Sequence, residues 1–170
     1  MTASNAEKVL AKLRQSGQSG RLDGLEIEYW VGGGLPPPRY RSDQLRLLCV
    51  DGRDTVEFAK MCFDDHYDPP SLNEKWQVPA TGVDVREMVR LLLEGSVFTT
   101  HYPEEDDPGI ADILSTEVIA TFSGDELKRR YYRKPPESLA PLVRAAEALI
   151  DRAKREGERG LYHQGKRVGD

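Results

Sequence analysis

Leu45-Arg46-Leu47-Leu48-Cys49-Val50-Asp51-Gly52-Arg53-Asp54-Thr55-Val56-Glu57-Phe58-Ala59-Lys60-Met61-Cys62-Phe63 is the stretch whose reading decides the fold. Two runs rich in apolar residues flank Asp51-Gly52-Arg53-Asp54, and Asp-Gly between such runs signals a β-hairpin. A loop centred between Gly52 and Arg53 sets Cys49 against Val56 and Cys62 against Asp43. The thiols then stand about 20 Å apart along the ribbon, at ~3.3 Å per residue. A disulfide needs Cα atoms within about 7 Å. Two half-buried free thiols in a reducing cytoplasm are therefore expected.

Upstream, Leu25-Glu26-Ile27-Glu28-Tyr29-Trp30-Val31 alternates strictly and predicts a strand. Gly32-Gly33-Gly34-Leu35-Pro36-Pro37-Pro38 stops it as a semi-rigid connector. Before the strand, Ser4 and Glu7 have capping-box spacing, and Ala6, Val9, Leu10 and Leu13 recur with helical period. That helix should end in Ser16-Gly17-Gln18-Ser19-Gly20.

Downstream, Asp64-Asp65-His66-Tyr67-Asp68-Pro69-Pro70 closes the hairpin, and Ser71 to Ala80 reads as a loop anchored by Trp76. A helix is predicted from an Asp84 N-cap, with Val85, Met88, Val89 and Leu92 inward and Gly95 at its C-cap. A second hairpin, Thr116–Phe122 and Glu126–Arg133, turns around Ser123-Gly124-Asp125. The last helix starts near Ser138, with Pro141 tolerated in its first turn. Both halves read hairpin, Pro-Pro, helix, which common ββα grammar explains as well as an internal duplication does.

The expected architecture is a single two-layer α+β domain over residues 1–156. It has an antiparallel sheet of about five strands, two hairpins plus one strand, packed on about three helices. Residues 157–170 read as a polar, flexible tail.

At 170 residues, with 38 % apolar and 31 % charged side chains, the chain is large enough to bury its own core. No apolar run approaches the roughly 18 residues of a membrane span. Met1 to Lys8 leads into an amphipathic pattern rather than a signal-peptide core. Membrane and secreted classes are set aside on these grounds.

Gly32-Gly33-Gly34 follows a strand but precedes prolines, so no helix N-terminus stands ready for a phosphate. No nucleophile-elbow, zincin, Walker or paired-cysteine motif occurs. Two loops carry metal-ligating residue types: Asp64, His66 and Asp68 in one, His101 ahead of Glu104-Glu105-Asp106-Asp107 in the other. Converging, they could hold a divalent metal, the one cofactor considered, for hydrolysis; adjacent acids on a loop usually just solvate a turn.

Lys128-Arg129-Arg130-Tyr131-Tyr132-Arg133-Lys134 is a basic, aromatic strand, and Arg39-Tyr40-Arg41 repeats its character. Arg39, Arg41, Arg129, Tyr131 and Arg133 are the candidate binding residues. Arg and Tyr together suit single-stranded nucleic acid, but charge argues otherwise. Residues 126–170 hold 12 basic and 7 acidic side chains, net +5, while residues 1–125 hold 12 and 22, net -10. Such blocks suit neutralisation within the chain or across a dimer better than a polyanion. The leading expectation is a non-catalytic, self-associating interaction domain of the cytoplasm, partnered by protein rather than membrane or nucleic acid. A metal-assisted hydrolase and a single-strand binder are the alternatives.

Overall fold

The computed structural model describes residues 4–21, 23–33, 40–63, 72–110, 113–163 and 166–169. Helix α1 (Asn5–Ser19) begins with the expected capping box: the Ser4 hydroxyl accepts from the Glu7 amide and the Glu7 carboxylate accepts from the Ser4 amide. It ends within the expected Ser16–Gly20 stretch, on Gly20, whose left-handed backbone (φ 70°) delivers the cap N–H to the Ser16 carbonyl.

Four strands follow: β1 (Leu25–Gly32), β2 (Tyr40–Val50), β3 (Arg53–Phe63) and β4 (Leu72–Pro79). Helix α2 (Gly82–Glu94) precedes β5 (Ser115–Phe122) and β6 (Asp125–Tyr132). Helix α3 (Ala140–Glu156) is entered through a 3-10 turn and leads into β7 (Glu158–His163) and β8 (Lys166–Arg167). The sheet is antiparallel, in the order β6-β5-β1-β2-β3-β4-β7-β8.

The fold class stands, but among the described residues the sheet has eight strands where about five were expected. Residues 72–79, expected as loop, are β4, and Trp76 does anchor them by stacking on Phe58 at 5.5 Å. Residues 158–163 of the expected tail pair with β4 as β7. With β4 between β3 and α2, the hairpin, Pro-Pro, helix grammar does not hold in the first half.

Both predicted hairpins form, but the first has another register. Asp51 (φ 51°) and Gly52 (φ 76°) both take left-handed backbone, the type I′ geometry whose twist matches the strands. The two-residue turn therefore closes on Val50↔Arg53, pairing Cys49 with Asp54 and Cys62 with Arg41. The cysteines lie at opposite ends of the ribbon, Cys49 as a buried free thiol. Helix α2 also starts earlier than expected. Thr81 is its cap and Asp84 its third residue, each side chain bonding the other's amide.

All three helices lie on one face of the sheet. Leu25, Ile27, Leu45, Leu47, Val56 and Phe58 point to them and meet Val9 and Leu13 of α1, Val85, Val89 and Leu92 of α2, and Leu142 and Ala146 of α3. Each large side chain fully buried there contributes about 1.5–3 kcal/mol. The opposite face carries paired charges. Arg46 meets Glu26 at 2.5 Å and Glu57 at 3.3 Å, and Glu28 accepts from the Trp30 indole at 2.7 Å. None of the described helices is long and apolar enough to cross a membrane.

Candidate functional site

Among the described residues, nothing pairs with the outer side of β6, whereas β8 at the opposite end of the sheet is two residues long. Ser123 (φ 50°) and Gly124 (φ 86°) make the β5–β6 turn another two-residue type I′ connection. Phe122 and Asp125 are then its closing, mutually hydrogen-bonded pair. Counting in twos from Asp125, Leu127, Arg129 and Tyr131 turn their backbone groups toward β5. Arg133 continues that parity, its N–H donating to the Leu114 carbonyl at 2.7 Å. Glu126, Lys128, Arg130 and Tyr132 consequently present their N–H and C=O groups outward, unused among the described residues except for the Tyr132 carbonyl, which accepts from the Lys134 amide at 2.9 Å.

The same alternation sorts the side chains. Leu127, Arg129 and Tyr131 face the helices, and Tyr131 is completely buried, edge-on to Tyr102 with ring centroids 6.3 Å apart. Burial first, and then the nearby Glu105 carboxylate, raise the Tyr131 phenol above its ordinary pKa. Arg129 pairs with Glu105 at 3.2 Å and donates to the Phe98 carbonyl at 3.3 Å. Lys128 and Arg130 stand on the open face, and both turn to Glu117 of β5, Lys128 at 2.8 Å. Two cations thus share one carboxylate.

The acidic loop after α2 closes over the helix side of this edge. Residues Pro103–Glu105 form a 3-10 turn whose Glu105 carboxylate accepts from the Tyr102 amide at 2.6 Å while holding Arg129. The Tyr102 hydroxyl donates to the Gly95 carbonyl at 2.6 Å. His101 is exposed, with Asp106 3.1 Å from Nε2 and Glu105 3.5 Å from Nδ1. The structure so brings together two features read separately in the sequence, the His101 loop and the basic strand. What joins them is charge neutralisation.

The remaining sequence candidates fall as follows. Asp64, His66, Asp68 and Arg39 lie outside the described residues. Arg41 is on β2 opposite Cys62, its side chain outside the described part. Among the described residues no group of three or more His, Cys, Asp and Glu side chains is placed to hold a metal ion. Arg129 and Tyr131 are spent on the core side of β6, and Arg133 is exposed just past its end, at φ 69°. Sequence reasoning passed over Lys128, Arg130, Tyr132 and Glu117. Strand alternation places the first three on one face, and only the strand order reveals that they border an open edge.

An open cavity of about 480 Å³ lies where β1 begins and β2 ends, between residues 23–26 and the β2–β3 turn. It borders Cys49, whose thiol is raised in pKa by burial first and by a hydrogen bond to Asp54 second. In the comparisons with known proteins, no protein-family model and no curated protein matches the chain.

Proposed function

We propose that the protein is a non-catalytic interaction module that receives an extended polypeptide segment as an added strand on β6. The observation that carries this reading is the outward row of backbone groups at Glu126, Lys128 and Arg130, continued by the Tyr132 amide, on a strand of 8 residues. Strand addition draws its affinity from main-chain hydrogen bonds and its specificity from alternate side chains, and β6 offers both. The buried Tyr131 and the Glu105–Arg129 pair brace the strand from behind, so its edge is held ready before a partner arrives.

Self-association, expected from the sequence, fits this edge less well. Two copies pairing antiparallel about Arg129 would set Lys128 of one beside Arg130 of the other, and like charges directly opposite are destabilising. The single-strand reading is weakened because Tyr131 and Arg129 face inward, away from any base.

Lys128→Pro tests the proposal. Because the Lys128 N–H points outward, proline there removes a donor from the edge while sparing the β5 ladder. An array of random octapeptides probed with the wild-type chain should capture a subset, and Lys128→Pro should lose that subset while keeping its circular dichroism. Capture that is unchanged in the proline variant refutes the reading.

A further inference from the structure

Resting on the β6 reading, we infer that the segment received there carries carboxylates at alternate positions with aliphatic side chains between them. On the open face, Lys128 and Arg130 have one carboxylate, Glu117, between them. Arg133 and Lys134 follow at the strand's end, exposed and outside any ion pair among the described residues. Glu126 is the one acid of β6 on that face. The edge is therefore electropositive although the chain as a whole is net -5.

Spacing sharpens the match. Lys128 and Arg130 are two residues apart on one face, about 7 Å, the repeat at which a neighbouring strand presents its own same-face side chains. Acids at positions i and i+2 of the incoming segment would each meet one cation directly across the ladder. The other face differs. Leu127 is half-buried there, Phe122 is partly buried beside it, and Leu114 is exposed beyond. Arg129 on that side is already matched by Glu105, so aliphatic side chains suit it and further charge does not. The same cations that keep two copies of the edge apart select this partner.

The experiment is fluorescence anisotropy with two labelled octapeptides, alternating Val-Glu and alternating Val-Lys, titrated with the full chain at low ionic strength. The Val-Glu peptide should bind about tenfold tighter than Val-Lys, since two cross-strand pairs change sign between them, and salt should weaken it. Lys128→Glu with Arg130→Glu should reverse the order. Lys128→Thr with Arg130→Thr, which keeps good strand formers, should erase the difference while both peptides bind weakly. Equal affinities in the wild type, or a preference that survives the reversal, overturn the acidic partner and leave strand addition standing. Binding indifferent to Lys128→Pro, or binding of neither peptide, overturns strand addition with it.

Discussion

Asp84 joins two helices. Its carboxylate caps α2 by accepting from the Thr81 amide at 2.7 Å and accepts from the two terminal guanidinium nitrogens of Arg152 on α3, at 2.9 and 2.7 Å. Burial by itself would raise the Asp84 pKa, but the bonds from Arg152 and Thr81 outweigh it and hold the carboxyl below the usual aspartate value. A depressed folded pKa stabilises fully above the unfolded value of about 3.9, and that stability is lost as pH falls through the folded value. Arg152→Ala should cost about 2 kcal/mol at pH 7 by urea denaturation. Asp84→Asn should be destabilised at pH 7, with its gap to wild type closing on acidification; a gap constant down to pH 2 would refute the assignment. Asp84 was visible in the sequence as a helix-start residue, but with the wrong place in the cap. Thr81 and Asp84 each have an acid three residues on, and the arginine that helps decide between them is remote in the chain.

Strands were legible either by the apolar surface they bury or, for the polar β6, by the Ser123-Gly124 turn that folds it back on β5. β1, β2, β3 and β5 occupy the middle of the sheet, and their Leu, Ile, Val and Phe residues announce them. β4 and β7 lie toward one end of the sheet, and their sequences are mostly polar, so their periodicity reads as loop and tail. Gly157 shows how β7 is delivered. A Cβ added there would stand 2.3 Å from the Ala153 carbonyl oxygen and 2.8 Å from that of Gln77, so the chain leaves α3 in contact with β4. Gly157→Ala should therefore push β7 outward and cost about 1–3 kcal/mol. Hydrogen exchange should speed up in β4 and β7 while β2 and β3 keep their protection; unchanged exchange in β4 would show that the close approach is not needed.

The charge blocks read from the sequence find their partners inside the fold. Arg129 meets Glu105, Lys128 and Arg130 meet Glu117, Arg152 meets Asp84, and Arg159 meets Glu74 at 2.8 Å. In each pair a cation from the basic C-terminal block joins an acid from the acidic body. Neutralisation within the chain was one of two outcomes the composition allowed, and composition could not choose between them, because it carries no information on which strands become neighbours. The edge of the sheet was illegible for the same reason. β6 is outermost because β1 takes both β2 and β5 as neighbours, a pairing made across most of the chain.

The hollow beside the β2–β3 turn gives the molecule a built-in clock. Cys49 is 8 % exposed and held protonated by its surroundings, which makes it a slow nucleophile. Iodoacetamide at neutral pH should alkylate it much more slowly than free cysteine, and sub-denaturing urea should quicken the reaction as the ribbon's tip lifts away. Peptide mass mapping of the adduct would then time the breathing of this turn end of the sheet without any engineered probe. A rate equal to that of the free amino acid would mean that this corner never properly shuts.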